Sequence, residues 1–535
     1  MIITRRDFTK SLAAGVSSTI VPSISLAQSG STTVKRPNIL FICTDQHSGQ
    51  MLMGGPGKRV PVRTPNMARL AAKGVHFRNV YCGSPVCAPG RAALMTGRFA
   101  SDVDSYGNTT VFQGTVPTWG NYLRDAGYTC WATGKLDLAA NKDLGFEEVQ
   151  INHGHFVHPD ITELFRRPMC YRIDERELVD GAATTEGKEG DQEKLERGLA
   201  WIKTQKGSGK PWAAYVGLNI PHPPFAAPKK YFDIYPPKDV PLPNIPSGYL
   251  DNLHLVFQTL RDFSMISTPI SEDRIRRARS AYYGMITEFD DYLGKVLDEL
   301  EQRGTLKDTV IIYTSDHGEM LGEHGMWLKR ALYEGAARIP LFMAGAGLPE
   351  GKVIDTPVAS VDLTATLLDL GGVPRQQGLR GRSLLPLIAG DANAAPPYVY
   401  SECHNEGNST GSFMIRKGDW KYLYFSFYGN NLLFNLREDP GELNNLSGRS
   451  ETTAIERDLH NTLTSLVDPD AVTLRAFERQ DQFLAKTIQS HDAQKFYKLL
   501  AGRLGQGQAA LITQLHYRNW KPEHLEVDNK REPIG

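Results

Sequence analysis

A short run of residues, Cys87-Ala88-Pro89-Gly90-Arg91, combines a thiol, a turn-forming proline and a cation. The arginine follows the cysteine by four residues at the predicted start of a helix, where unpaired backbone N–H groups attract an anion. Taken alone, the run also fits a small buried cysteine beside a helix start. It therefore indicates a reactive site only if other parts of the chain bring polar partners to it.

Four short apolar runs provide such partners, because each ends abruptly in polar residues. This pattern is typical of buried parallel strands whose carboxyl ends carry function. The runs span residues 38–43, 128–132, 213–219 and 310–313, and the polar residues at their ends include Asp45, Lys135, His222, Asp316 and His317. Since parallel strands present their carboxyl ends at one edge of a sheet, we expect these side chains to share a site.

Helical segments at residues 64–73, 116–126 and 272–303 lie between these runs. In the last segment apolar residues recur at intervals of three and four, Ser271 is the candidate N-cap, and Gly304 ends the pattern. Strands that alternate with helices predict an α/β fold, in which a mixed, mostly parallel sheet is flanked by helices on both faces.

The chain is long enough for two domains, and its composition shifts to Gly, Asp, Asn, Ala and Pro at residues 390–397. Beyond this seam, turns separate three strand-like runs at residues 413–416, 421–427 and 432–435. Helical periodicity follows at residues 450–517. We therefore predict a catalytic domain at residues 35–390. A smaller subdomain at residues 396–535 would hold an antiparallel sheet and the terminal helices.

The segment from Cys87 to Arg98 resembles the signature of the type I sulfatases, which belong to the alkaline phosphatase-like superfamily. It contains C-x-P-x-R, a leucine and a closing Thr-Gly-Arg, and it departs only at Gly90, where Ser or Ala is common. The resemblance implies an alkaline phosphatase-like fold. It also implies that a formylglycine-generating enzyme oxidises Cys87 to formylglycine, whose hydrate attacks the sulfur of a sulfate ester.

The same resemblance implies a calcium site formed by Asp45, residue 87, Asp316 and His317. Hard oxygen ligands suit calcium. Gln46 stands where the family has a second aspartate, and His317 replaces an asparagine. With fewer carboxylates and one imidazole, manganese or magnesium is an alternative. The other interpretation of the two aspartates is that they cap turns.

Three further residues, Lys135, His222 and Lys329, match the family's sulfate-binding positions. The resemblance implies that both lysines neutralise sulfate oxygens and that Arg91 holds the nucleophile in place. We expect His222 to protonate the departing alcohol, with Lys329 as a second donor. Asp137 stands where the family has a histidine that contacts the nucleophile. We expect Asp137 to act there as a base or hydrogen-bond acceptor.

A narrower likeness, to the glucuronate-2-sulfatases known as arylsulfatase K, includes Gly134-Lys135-Leu136-Asp137 and the segments at residues 218–223 and 401–404. This likeness favours a 2-O-sulfated hexuronate in a sulfated glycan as substrate, with a simple aryl or choline sulfate as the fallback. Two alternatives stay open. One is a phosphodiesterase or phosphonate monoester hydrolase of the same fold, and the other is a non-catalytic exported glycan-binding protein with unmodified Cys87.

The run Thr4-Arg5-Arg6-Asp7-Phe8 precedes a mildly apolar stretch and predicts a twin-arginine signal peptide over residues 1–28. This predicts export by the twin-arginine translocase to the periplasm or the medium. We expect no membrane span, because no later segment is long and apolar enough. Sixty Lys and Arg residues balance sixty Asp and Glu residues, so we expect no nucleic-acid partner.

Two other groups of residues, the cysteines and a set of three histidines, do not predict a site of their own. The six cysteines are too few and too scattered for a disulfide framework. His153, His155 and His158 imitate a zinc site, but no nearby cysteine or carboxylate completes a tetrahedral ligand set at the usual spacing. We therefore interpret the three histidines as part of a loop at the mouth of the pocket.

Overall fold

The structure is a computed structural model. It describes residues 36–51, 62–139, 142–147, 149–150, 160–165, 170–187, 190–205, 209–404 and 407–521. The predicted signal peptide and the histidines at 153, 155 and 158 lie outside these ranges, so both interpretations stay predictions.

The strands are β1 (Asn38–Thr44), β2 (Gly74–Tyr81), β3 (Thr129–Gly134), β4 (Val149–Gln150), β5 (Gly181–Thr184), β6 (Trp212–Gly217), β7 (Phe225–Pro228), β8 (Thr309–Ser315), β9 (Arg338–Ala344), β10 (Lys352–Ile354), β11 (Val358–Ala359), β12 (Val399–Cys403), β13 (Ser412–Lys417), β14 (Trp420–Phe425) and β15 (Leu432–Asn435). The α-helices are α1 (Pro65–Ala72), α2 (Cys87–Thr96), α3 (Trp119–Asp125), α4 (Ile173–Leu178), α5 (Asp191–Thr204), α6 (Lys229–Phe232), α7 (Leu255–Phe263), α8 (Glu272–Gln302), α9 (Glu334–Ala337), α10 (Val361–Leu370), α11 (Leu385–Ala389), α12 (Thr453–Leu466), α13 (Pro469–Ser490) and α14 (Ala493–His516).

Among the described residues, nine strands form the main sheet, in the order β10-β2-β9-β8-β1-β6-β3-β4, with β11 also paired to β2. The four central strands β8, β1, β6 and β3 run parallel to one another. Strand β9 pairs antiparallel with both β8 and β2. The sheet is therefore mixed and mostly parallel, as predicted, and the four predicted strands are its centre.

Apolar residues cover both faces of this sheet, because side chains alternate along each strand. Leu40 and Ile42 of β1 belong to one apolar cluster, which includes the buried side of α8. Ile39 and Phe41 belong to the cluster on the other face. At the start of α8 the Ser271 hydroxyl accepts a hydrogen bond from the N–H of Arg274, which confirms the predicted N-cap.

A separate antiparallel sheet, β12-β13-β14-β15, follows the main sheet in the chain, and α12, α13 and α14 come after it. Apolar side chains of this small sheet and of α14 share a buried cluster with Tyr81, the last residue of β2, and with Val86. The small sheet and the terminal helices are confirmed. The domain boundary at residues 390–396 stays a prediction.

None of the six cysteines, all of which lie within the described ranges, forms a disulfide. Within those same ranges, no helix has both the length and the apolar character that crossing a bilayer requires.

Candidate active site

Cys87 is the first residue of α2 and follows Val86, whose backbone is extended. Its side chain is buried, and its sulfur lies 2.7 Å from Nζ of Lys329 and 3.3 Å from Nε2 of His317. The same sulfur is 3.8 Å from Oδ1 of Asp45 and 3.9 Å from Oδ2. The thiol at the helix start therefore meets residues from the strand ends.

Asp45 follows β1, while Asp316 and His317 follow β8, and these two strands pair in parallel. One ligand atom from each of these residues and Sγ of Cys87 all lie within 4.8 Å of one another. Nδ1 of His317 is 3.0 Å from the carbonyl oxygen of Gly318, so Nδ1 carries a hydrogen, and in the neutral ring Nε2 keeps its lone pair. Nε2 in turn lies 3.4 Å from Oδ1 of Asp45.

The two carboxylates differ in their tendency to ionise. Burial opposes ionisation of Asp45, yet nearby cations, including Lys135, hold its pKa below the ordinary value. Burial raises the pKa of Asp316, and the charge of Asp45 adds to this, although Arg91 opposes both. Asp45 is therefore the firmly anionic member of the pair at neutral pH.

Lys135 follows β3, and its buried Nζ pairs with Asp45 and lies 3.2 Å from Oδ2 of Asp137. Burial disfavours the charged amine, but Asp137 and Asp45 outweigh it and raise the pKa of Lys135 well above its ordinary value. Asp137 has a left-handed backbone with φ 51°, and its carboxylate accepts no hydrogen bond from the described residues. Its Oδ2 is also 3.8 Å from Nε of Arg91, so Asp137 lies between two cations.

Arg91, one turn into α2, is buried among hydrogen-bond acceptors. Its Nε donates to Oδ2 of Asp316 at 2.8 Å. Its Nη1 donates to the carbonyl oxygen of Lys135 at 2.6 Å and to the hydroxyl of Tyr215 at 2.9 Å, while Nη2 is 3.5 Å from the carbonyl oxygen of Thr44. Arg91 therefore ties the helix that carries Cys87 to four neighbouring strands.

His222 lies beyond the end of β6 and is partly exposed. Its Nδ1 is 2.7 Å from the carbonyl oxygen of Pro223, so Nδ1 donates this hydrogen bond. Burial of the ring lowers the pKa of His222 to about 4, although Asp45 opposes the shift. Both Asp45 and Cys87 act on this imidazole, which places it at the same site as the thiol.

The sulfatase family profile matches residues 37–373 of the chain. A second profile, described as the C-terminal region of N-sulphoglucosamine sulphohydrolase, matches residues 322–468. The first match covers more than half of the sequence and contains every residue of the site described above. The chain belongs to the sulfatase family. It is a hydrolase that acts on sulfate esters.

Several relatives of this sulfatase have names that point to different substrates. It is 33% identical over 436 residues to a choline-sulfatase of Rhizobium meliloti (strain 1021), covering 78% of this chain and 83% of the relative. It is 30% identical over 519 residues to arylsulfatase K of Danio rerio, and the match covers 92% of this chain and 93% of the relative. Among solved structures, the phosphonate monoester hydrolase of Agrobacterium radiobacter is 25% identical with a TM-score of 0.66, covering 81% of this chain and 95% of that one.

The residues of this sulfatase fit a divalent cation. Asp45 and Asp316 offer hard oxygen atoms, and His317 offers the lone pair of Nε2. Gln46 adds a further oxygen, because its Oε1 is buried and has no hydrogen-bond partner among the described residues. A buried amide oxygen without a donor is costly unless something else, such as a cation, binds it. Gln46 therefore fits the ligand set, although sequence reasoning left its role open.

The position of Cys87 fits the modification that the family implies. Its sulfur stands where the oxygens of a hydrated formylglycine would lie, next to the possible cation ligands and the amine of Lys329. The structure brings together all the sequence-predicted site residues, while their catalytic and ligand roles stay predictions: Asp45, Cys87, Arg91, Lys135, Asp137, His222, Asp316, His317 and Lys329.

Sequence reasoning missed three residues that shape the site. Tyr215 of β6 accepts a hydrogen bond from Arg91, and Asn108 accepts one from the backbone N–H of Ala88 at 3.0 Å. Glu319 accepts a hydrogen bond from Nε2 of Gln46. Nothing in the spacing of the first two marks them, whereas Glu319 lies two residues after His317, close to the predicted ligands in the sequence.

Proposed function

We propose that this sulfatase hydrolyses an organic sulfate ester by means of formylglycine made from Cys87 and one divalent cation, with calcium favoured and manganese or magnesium as alternatives. One observation carries the proposal. The Cys87 sulfur and ligand atoms of Asp45, Asp316 and His317 lie within 4.8 Å of one another, and the amine of Lys329 touches the same sulfur. A nucleophile, a cation site and an anion-binding group thus share one buried space.

The hydrated formylglycine would supply the hydroxyl that attacks sulfur, and the cation would supply Lewis-acid activation of that hydroxyl. Asp45, Gln46, Asp316 and His317 are the residues that would hold the cation. Arg91 keeps Asp316 and the start of α2 in place through its four hydrogen bonds. A rigid arrangement of this kind avoids reorganisation during the reaction.

Two lysines would bind the sulfate oxygens. Lys135 and Lys329 are 5% and 7% exposed, so their charges act in a poorly solvated space where they stabilise a developing negative charge strongly. Asp45 and Asp137 keep Lys135 protonated. Lys135 therefore stays cationic at neutral pH.

His222 would protonate the leaving alcohol through Nε2, because Nδ1 is committed to the carbonyl of Pro223. In the free protein the pKa of His222 is about 4, so the ring is neutral at neutral pH. A bound sulfate ester brings a negative charge, which favours the imidazolium. The ammonium of Lys329 is a second donor. Asp137 would take the proton that must leave the nucleophile when sulfate is released.

The substrate we favour is a sulfated glycan with a 2-O-sulfated hexuronate. The support is the likeness to arylsulfatase K over 92% of this chain, which includes Asp137 in place of the usual histidine. Choline sulfate is the competing small substrate, because a choline-sulfatase matches at 33% identity. Desulfation of uronate-containing oligosaccharides, compared with choline sulfate at equal concentration, separates the two.

A phosphonate monoester hydrolase is the second candidate function. It is favoured by the likeness to the enzyme from Agrobacterium radiobacter, which is 25% identical and covers 81% of this chain. Family membership does not favour a non-catalytic glycan-binding protein. For the site of action we propose the periplasm or the medium, with residue 87 modified before the twin-arginine translocase exports the folded chain; the support is the Arg5-Arg6 motif.

The test has three measurements on the purified protein from a host that makes formylglycine. The peptide that carries residue 87 should have the mass of formylglycine rather than cysteine. The sulfate ester of an alcohol should be hydrolysed faster than its phosphonate or phosphate ester. Cys87→Ala should lower kcat/KM by a factor on the order of 10⁴ or more, as removal of a nucleophile does, with an unchanged melting temperature. Wild-type-like turnover by Cys87→Ala would end the assignment.

A further inference from the structure

Glu319 is a buried carboxylate in the loop after β8, and its two oxygens serve two different parts of the active site. Oε2 accepts a hydrogen bond from Nε2 of Gln46. Oε1 accepts from the backbone N–H of Leu321 at 2.8 Å and from that of Leu328 at 2.7 Å. Three donors from three places in the chain therefore converge on one side chain.

On the cation side, Glu319 fixes the orientation of the Gln46 amide. The backbone of Gln46 is left-handed, with φ 71°, and its N–H donates to Oδ1 of Asp316 at 3.1 Å. Because the amide nitrogen faces the Glu319 carboxylate, the amide oxygen must occupy the other end of the group. That oxygen is the buried acceptor that lacks a hydrogen-bond donor among the described residues.

On the anion side, Glu319 fixes the loop that presents Lys329. The residues on either side of the lysine, Leu328 and Arg330, have left-handed backbones with φ 65° and 79°. Such conformations cost free energy in residues with a Cβ and persist only when surrounding contacts impose them. The hydrogen bond from the Leu328 N–H to Glu319 is one such contact, and the Leu328 carbonyl accepts from Met320 at 2.8 Å.

We propose that Glu319 is a positioning residue that sets both the Gln46 ligand oxygen and the sulfate-binding amine of Lys329. The inference rests on the proposed function, because it assumes that Gln46 faces a bound cation and that Lys329 binds sulfate. It predicts that one substitution weakens the binding of a cation and of an anion together. Substitution of a residue that only supported the local fold would not be expected to weaken cation binding and anion binding together.

Only a carboxylate satisfies all the donors around this position. In Glu319→Gln one oxygen becomes an NH₂ group, which must face either the Gln46 NH₂ or the two backbone N–H groups. The size and shape of the side chain hardly change, so the substitution removes one acceptor and little else. Glu323→Gln is the matched control, since Glu323 lies in the same loop and accepts from the N–H of Asn244 at 3.1 Å.

The experiment uses the full chain after treatment with a chelator, with calcium binding measured by titration calorimetry. Loss of a residue that orients a metal ligand typically weakens affinity by about 10–100-fold, and we expect this for Glu319→Gln. In calcium-saturated protein, the dissociation constant of inorganic sulfate, measured from its effect on the melting temperature, should rise by about 10-fold. Glu323→Gln should change both constants by less than about 2-fold.

A second variant keeps the inference testable if Glu319→Gln is poorly folded. Gln46→Met removes the amide and leaves the bonds from Glu319 to Leu321 and Leu328 intact, so it should weaken calcium binding but leave sulfate affinity unchanged. In the Gln46→Met background, Glu319→Gln should weaken calcium binding no further, because it acts through Gln46. The inference about Glu319 would be overturned if the losses of calcium affinity in the two variants were additive. It would also be overturned if Glu319→Gln bound calcium and sulfate as the wild type does; neither result would overturn the proposed function. A wild-type protein that binds no calcium would overturn the proposed function as well.

Discussion

Two clusters of buried charge lie in different parts of the molecule. The active-site cluster contains Asp45, Lys135, Asp137, Asp316 and Lys329. The sheet-junction cluster contains Tyr81 at the end of β2, Glu334 of α9, Lys421 of β14 and Glu442 beyond β15. Both hold lysines and carboxylates away from water, which is costly unless the charges are paired or hydrogen-bonded.

The two clusters differ in what their polar atoms face. In the sheet-junction cluster, Nζ of Lys421 lies 3.0 Å from Oε1 of Glu334 and 2.7 Å from Oε1 of Glu442. Oε2 of Glu442 accepts from the backbone N–H of Glu334 at 2.6 Å, and the Tyr81 hydroxyl donates to Glu334 at 2.8 Å. These contacts join the small sheet to α9 and the main sheet. The polar groups of the sheet-junction cluster therefore contact one another and hold chain segments together.

The active-site cluster keeps two acceptors with neither a hydrogen bond nor a close cation among the described residues, namely Oδ1 of Asp137 and Oε1 of Gln46. Its lysine at position 329 touches the Cys87 sulfur. On the proposed function, buried charge in this cluster binds a cation and a sulfate group, whereas buried charge at the junction fixes chain segments. Substitutions should therefore affect stability at the junction and activity at the active site.

The largest effect on stability should come from Lys421→Met. The substitution takes the amine from buried Glu442 and the nearer of two cations from Glu334, to which Arg338 stays 3.8 Å away. Removing one partner of a buried ion pair costs about 3–5 kcal/mol. Urea unfolding followed by fluorescence measures the change. Lys417→Met is the matched control on the same hairpin, because Lys417 pairs with Asp458 at the surface, where an ion pair contributes about 0–1 kcal/mol. Equal losses in both variants would contradict the comparison.

The next largest effect should come from Lys329→Met, and it should appear in activity. Loss of one donor that stabilises developing charge lowers kcat by about 10²–10³-fold, equivalent to about 2.7–4 kcal/mol. The free energy of unfolding should change by less than about 1 kcal/mol, since this cation serves the substrate rather than the fold. Steady-state kinetics and urea unfolding of one preparation give both numbers. A loss of stability as large as that of Lys421→Met would erase the distinction between the clusters.

Much of this arrangement follows from the order of residues. Asp45 and Asp316 come two and three residues after an apolar run, and parallel strands place such residues at one sheet edge. The structure confirms the runs as β1 and β8, which pair side by side. The pattern of Cys87 and Arg91 was recognisable because the cysteine, proline and arginine lie within one helical turn. Local spacing and strand polarity were sufficient for this part of the site.

The remaining contacts depend on proximity in three dimensions. Tyr215 reads as an ordinary aromatic residue in a buried strand, and only the folded chain shows its hydroxyl 2.9 Å from Arg91. Lys421 pairs with Glu334, which lies 87 positions earlier in the chain, and with Glu442, which lies 21 positions later. No local sequence pattern relates these three residues. Sequence periodicity reports which face of an element is buried but not which polar group it meets there.

Gly90 is the one departure from the signature around Cys87, and the structure gives it a steric reason. A Cβ at this position would lie 2.8 Å from the carbonyl oxygen of Ser84 and 2.9 Å from that of Asp316. Contacts that close to backbone atoms cannot be relieved by a side-chain rotation. Helix α2 therefore packs against the strand end that carries Asp316 more closely than an alanine or serine would allow.

Gly90→Ala should accordingly produce the smallest of the three effects. Helix propensity favours alanine by about 0.5–1 kcal/mol, but overpacking against backbone costs about 1–3 kcal/mol, so a net loss of stability is expected. Because the shift moves Cys87 relative to Asp316, kcat should fall as well. Gly502→Ala is the matched control: Gly502 lies in α14, nothing lies within 4 Å of its added Cβ, and alanine should stabilise there. If Gly90→Ala stabilised the protein as Gly502→Ala does, close packing would not explain the glycine.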